Sequence, residues 1–328
     1  MESNKEYIPY FSFGDRLKEY HESAQARVQI SFNVLKDISP PTELTKKFHY
    51  AYGTEDGDEL YFERTLGLGL RGKMYIRNML SDPEIVANSA YHRFVRVKVD
   101  NLYPPGVHLA DILSVNLLER GYVPLHCGAV ASNEEGFLFT APPDTGKSIT
   151  TLLALKRGFH YLSEDISIVD EQNVYSNPNT STFLHNGEDH NRKGFRSLMY
   201  KIPLLEYYIS PSKKSISEGI KNFTADQKAK ITKIFILDRG KDSTIEKIDP
   251  EEALRRILII NRNEFSYHKN PILFAYAYFQ PRLDIEKLMK TEQRILRTIV
   301  EKTESFLVRT NDPRHYIDLV MKAKDYYL

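Results

Sequence analysis

Lys147 and Ser148 end the run Ala141-Pro142-Pro143-Asp144-Thr145-Gly146-Lys147-Ser148. A small residue, four variable positions and then Gly-Lys-Ser is the spacing of a loop that cradles phosphates. In such a loop successive backbone N–H groups curl around the anion, helped by the positive end of the helix that follows. Lys147 is expected to reach the β- and γ-phosphates of a nucleotide, and Ser148 to place its hydroxyl on Mg²⁺. Pro142 and Pro143 carry no N–H. The cradle therefore falls to Asp144, Thr145, Gly146, Lys147 and Ser148, with Ile149 next in the same turn. Ala141 stands where a glycine is usual.

Two further groups have the right chemistry. Glu164 and Asp165 are adjacent acids after a strand-like run. A hydroxyl substrate needs a carboxylate to take its proton, and Mg²⁺ needs at least one carboxylate ligand. His126, in Pro124-Leu125-His126-Cys127-Gly128, lies on the run before the strand that feeds the loop. A hairpin between those two runs would bring it to the phosphate site. Lys213, Lys214, Arg192 and Arg196 sit in a polar stretch and are weaker candidates for phosphate contacts. His185, Glu188 and His190 follow no standard zinc spacing.

These residues need elements to hold them. The apolar run at 136–140 reads as the strand entering the loop, and Ile149, Leu152 and Leu153 share one face of the helix leaving it. Arg157-Gly158 ends that helix with a cation and then glycine. Residues 122–131 read as one strand, as do 159–162, 166–169, 231–237 and 306–309. Helices are expected from Leu109, Ile112, Leu113 and Leu117 up to Gly121, and over 251–262 and 283–304. Asp312-Pro313 opens a last helix, with the acid at the cap and proline in the first turn. Before Pro104-Pro105 the chain is β-rich, with strands expected at 29–34 and 94–99. Gly53 to Glu59 reads as a turn, and Gly67, Gly69 and Gly72 as breaks. Residues 170–230 read mainly as long loops. The organisation is thus a β-rich region, 1–104, followed by a phosphate-loop core, 105–328.

The chain has 328 residues, 41% of them hydrophobic, enough to bury real cores. Its net charge of +1 gives no bulk attraction to nucleic acid. No stretch approaches the length of a membrane span. Cys127 is the one cysteine, so no intrachain disulfide forms, which suits a reducing, cytoplasmic setting. No signal-peptide core is visible at the N-terminus.

His126, the Lys147-Ser148 loop and Glu164-Asp165, with Lys156-Arg157-Gly158-Phe159-His160-Tyr161-Leu162-Ser163 leading into the acids, resemble the catalytic core of HPr kinase/phosphorylase and its relatives. The resemblance covers residues 105–170 most closely. It implies an α/β fold of the phosphoenolpyruvate carboxykinase-like kinases, with ATP and Mg²⁺ as cofactors. It gives Lys147 and Ser148 the phosphate and metal positions, Glu164 the base toward a serine hydroxyl, Asp165 a Mg²⁺ ligand and His126 the group assisting the base. The family usually has Asp-Asp where this chain has Glu164-Asp165. The Glu-Arg-Gly signature that goes with HPr as substrate is not visible. Members lacking it include kinases of small-molecule or peptide hydroxyls, some of which phosphorylate a terminal serine of a lasso-peptide precursor. The expected activity is ATP-dependent phosphorylation of a hydroxyl, a serine of a peptide or protein. Alternatives are a free serine or sugar kinase, the reverse phosphorolysis, and a non-catalytic nucleotide-binding regulator. Relatives are commonly oligomeric, so a homo-oligomer is implied.

Overall fold

The computed structural model describes residues 2–4, 8, 11, 28–41, 43–54, 58–67, 69–96, 98, 101–177 and 226–326. They form a mixed α/β structure with two mixed sheets and seven α-helices among the described residues. The first sheet contains β1 (Glu2–Ser3), β2 (Ser31–Leu35), β3 (Lys46–Phe48), β4 (Ala51–Gly53), β5 (Glu59–Gly67), β6 (Leu70–Arg77) and β7 (Glu84–Asn88), in the order β1-β2-β7-β6-β5-β4-β3. Its strands alternate as a half-buried sheet should: Phe32 and Val34 of β2, and Met74 and Ile76 of β6, point into the core.

Of the expected strand at 94–99, the described residues 94–96 and 98 are not in a strand. Asn88 ends β7 and accepts a hydrogen bond from the Tyr91 amide, which starts helix α1 (Ser89–Phe94) just ahead of that segment. Gly72, expected as a break, lies inside β6, where its bare backbone meets the Tyr91 ring.

Helix α2 (Pro105–Glu119) leads to the second sheet, and proline stands in its first turn. This sheet contains β8 (Val123–Leu125), β9 (Cys127–Ser132), β10 (Glu135–Thr140), β11 (His160–Ser163), β12 (Ser167–Val169), β13 (Asn173–Tyr175), β14 (Lys228–Arg239), β15 (Thr244–Ile248) and β16 (Glu304–Thr310). Its helices are α3 (Lys147–Lys156), α4 (Pro250–Glu264), α5 (Pro271–Phe279), α6 (Ile285–Lys302) and α7 (Tyr316–Tyr326). β10, β14 and β16 run parallel, and β9 pairs antiparallel with β10.

β14 is a near-continuous apolar run because both faces of this sheet are covered. Ile234 and Ile236 pack on the side of α4 and α6, while Phe235 and Leu237 join Phe306 and Tyr316 on the side of α3 and α7. Phe235 and Phe306 stack with ring centroids 5.4 Å apart. Burying each such ring stabilises by about 1.5–3 kcal/mol.

The α3 face packed on the sheet differs from the expected one. Thr150, Thr151, Ala154 and Leu155 are buried, whereas Ile149, Leu152 and Leu153 are only half-buried. The reason is the close approach of β9: a Cβ on Gly128 would sit 2.3 Å from Thr151 Oγ1, so only small side chains fit between helix and strand. Strand β15 and helix α5 were not foreseen. At Asp312-Pro313 the chain makes one 3-10 turn, Pro313–His315, capped by Asp312, before α7 begins.

Candidate functional site

The expected strand over 122–131 is two strands, and His126 is the joint. β8 pairs with β12, while β9 leaves to pair with β10 and β11. Both backbone groups of His126 are tied at this break. Its carbonyl accepts from Thr140 Oγ1 at 3.1 Å, and its N–H donates to Asn261 Oδ1 at 2.9 Å. Thr140 is the last residue of the strand that feeds the loop, so the expected hairpin is what fixes the histidine beside the loop.

The loop itself turns sharply. Asp144 has φ 58° and Gly146 has φ 124°. Alternating handedness of this kind lets successive amides turn to one side and form an anion cradle. Gly146 is the N-cap of α3, and no side chain caps it. The first amides of the helix are therefore left to whatever occupies the loop. Thr145 and Lys147 are buried, Gly146, Ser148 and Ile149 are half-buried, and Asp144 is exposed.

Lys147 is the first residue of α3, and its ammonium lies 2.6 Å from Asp165 Oδ1 and 3.0 Å from the Asp165 carbonyl. It is 3.1 Å from His126 Nε2 and 3.3 Å from Nδ1, and His126 Nδ1 lies 3.7 Å from Asp165 Oδ1. Burial, with the Lys147 charge added, pushes the His126 imidazole down to about 4, against the pull of Asp165. The ring is therefore neutral near pH 7, and Lys147 is the cation of the group. Burial acts to raise the Asp165 carboxyl, but Lys147 and its hydrogen bond outweigh it and hold the group below the usual carboxylate range.

Asp165 is placed by a bend between β11 and β12, which run on in one direction antiparallel to β9 and then β8. Asn177 holds that bend, donating from its side chain to the Ile166 carbonyl and from its backbone to the Leu162 carbonyl. Ser163 and Ser167 hydrogen-bond across its base. The two acids then face different ways. The Asp165 side chain is 26% exposed, whereas Glu164 is 0% exposed. Thus Lys147, His126 and Asp165 are brought together, and the Glu164 side chain is shut off from solvent.

Several supporting residues escaped the sequence reading. Asn261 of α4 bonds His126 on one side and donates to Glu292 Oε1 at 2.7 Å on the other. Glu292 of α6 is 1% exposed and also accepts from Tyr267 at 3.0 Å and Arg262 at 3.1 Å. A signal existed: Glu292 stands among Leu288, Ile295, Leu296 and Ile299 on the core-facing stripe of its helix. A carboxylate there must have buried partners. Glu264 ends α4 on the same face as Asn261, one turn on, and is open to solvent. Partial desolvation, then the Asp165 charge, raises its carboxyl above the usual range, while Lys147 and Lys98 oppose this. Cys127 is buried, and burial pushes its thiol up to about 12, so it is no nucleophile.

Arg192, Arg196, Lys213, Lys214, His185, Glu188 and His190 lie outside the described residues. Among the described residues no three His, Cys, Asp or Glu side chains gather to hold a metal by themselves. None of their helices is long and apolar enough to cross a membrane. Neither a protein-family model nor a curated protein sequence matches the chain.

Proposed function

We propose that this protein is an ATP-dependent kinase that transfers the γ-phosphoryl group to a hydroxyl, a serine of a peptide or protein, with a lasso-peptide precursor as the first acceptor to try. The observation that carries the reading is the meeting of the loop lysine, Lys147, with Asp165 and His126 at the mouth of a loop shaped for phosphates. A cation, a carboxylate and a neutral imidazole at the open end of an anion cradle suit phosphoryl transfer, in which positioning and charge stabilisation supply most of the rate.

The loop amides and the start of α3 would hold the β-phosphate, and Lys147 would neutralise charge as the γ-phosphoryl group leaves. Ser148, half-buried in the first turn, offers the hard oxygen that suits Mg²⁺, which binds mostly through phosphates and water. The chemistry such a metal would supply, if held at Ser148, is positive charge against the phosphates. Asp165 Oδ1 is already committed to the Lys147 ammonium, which disfavours a second cation on that oxygen. Glu164 is buried. We therefore assign Asp165, rather than Glu164, to orient the acceptor hydroxyl and take its proton. His126 keeps that carboxylate in place without competing for the charge.

The test is transfer of radiolabelled γ-phosphate from ATP to serine-containing peptides and, in parallel, to free serine. Label should appear on a peptide serine with the native protein and vanish in Lys147→Ala. Undiminished transfer by that variant would overturn the reading, and label on free serine alone would move the acceptor to a small molecule.

A further inference from the structure

The phosphate loop is held from its far side by residues with no place in the chemistry above. Arg239 is the last residue of β14, and β10, β14 and β16 run parallel and end together at the loop. The guanidinium of Arg239 donates to two backbone carbonyls. One belongs to Asn311, just after β16, at 2.9 Å. The other belongs to Asp144, in the loop itself, at 3.4 Å. The same turn touches the loop again two residues on. A Cβ placed on Gly146 would lie 2.5 Å from Pro313 Cβ and 3.4 Å from the Tyr316 ring. Tyr316 is anchored in turn, donating to the Asp238 carbonyl at 2.6 Å.

We propose that Arg239 and the turn at 311–313 form a brace that sets the shape of the phosphate cradle, with Arg239 as a positioning residue of the nucleotide site. The inference rests on the nucleotide-binding reading above. The physical reason is peptide planarity. In a trans peptide the C=O of one residue and the N–H of the next point in opposite directions. Drawing the Asp144 carbonyl outward to Arg239 turns the Thr145 N–H toward the opposite, concave side of the loop. Pro142 and Pro143 supply no donors, so the loop has few amides to lose. Asp144 also sits at φ 58°, a conformation that a non-glycine residue keeps only when its surroundings impose it. An arginine fork carries its donors on separate nitrogens of a rigid plane, which suits two carbonyls set apart better than a lysine's single nitrogen does.

The brace acts on the phosphate cradle, not on the nucleoside, and this makes it testable. Affinities for ADP and for inorganic pyrophosphate would be measured by calorimetry on the native protein, Arg239→Ala and Arg239→Lys, with melting temperature followed in each. Arg239→Ala should weaken both ligands by the same factor, about tenfold, the scale of one lost hydrogen bond plus a loosened amide. Arg239→Lys should recover part of that loss, because it still reaches one carbonyl. The side chain is exposed, so the melting temperature should stay near native. Unchanged affinity for both ligands would overturn the brace. Weakened ADP with native pyrophosphate binding would also overturn it, by making Arg239 a nucleoside contact. If the native protein binds neither ligand, the kinase reading itself falls, and the brace with it.

Discussion

The Lys147 ammonium and the Asp165 carboxylate meet at 2.6 Å, joining the first residue of α3 to the bend between β11 and β12. The lysine side chain is 8% exposed and the aspartate 26%, so the pair is shielded but still open at one edge. Pairs in that setting are strongly interdependent. A double-mutant cycle of Lys147→Met and Asp165→Asn, read by urea denaturation, should give a coupling of about 1–3 kcal/mol.

The two acids should separate in kinetics. Asp165→Asn is expected to cut phosphoryl transfer by about 10²–10³-fold, the scale for losing one preorganised catalytic group. Glu164→Gln should cost less transfer per folded molecule, because its side chain lies inside. Single-turnover rates normalised to folded protein would decide, and an equal loss would return the base role to Glu164.

Asn261 should prove to be a support for His126. Asn261→Ala leaves the buried His126 N–H and one oxygen of Glu292 without this partner. The expected cost is about 1–3 kcal/mol of stability for each such group. Because the loop is untouched, ADP affinity should stay within a few-fold of native while the transfer rate falls. Calorimetry beside rate measurements would check this split.

Gly128 permits the contact between β9 and α3. Gly128→Ala drives a methyl group to 2.3 Å from Thr151 Oγ1 and 3.0 Å from the Glu164 carbonyl. Overpacking of this kind costs about 1–3 kcal/mol. Adding Thr151→Ala should restore much of the lost stability, since it removes the nearer of the two atoms. Thermal melts of the single and double variants would show it.

His108 should make stability fall in acid. It is wholly buried, its Nδ1 donating to Asn270 at 3.0 Å and its Nε2 3.1 Å from Tyr91 OH, and burial pushes it down to about 3. Its ordinary value is 6.5, so the unfolded chain takes the proton first and stability drops as pH falls from 6.5 toward 3. Asp111, which burial pushes up to about 7, works the other way between 3.8 and 7, taking its proton first in the folded state. The Lys98 charge lowers both groups. In His108→Gln the first slope disappears. Its stability deficit against native should then shrink by about 2–3 kcal/mol between about pH 6.5 and about pH 4.5. Denaturant titrations at the two pH values would read the sign.

The sequence by itself determined the parts whose rules are local. The loop spacing, the strands at 136–140 and 231–237, the amphipathic α4 and α6, and the cap at Asp312 follow from side-chain period and cap chemistry, which neighbours in the chain largely set. His126 was legible as a partner of the loop because a hairpin between adjacent strands is itself a local event. Tertiary structure alone decided the rest. Which acid of the pair faces Lys147 depends on a bend held by Asn177, and the break at His126 depends on two different partners for β8 and β9. Asn261, Glu292 and Arg239 carry no spacing motif. They reach the site through hydrogen bonds across 135 residues, 31 residues and 95 residues of chain, and only packing fixes such contacts.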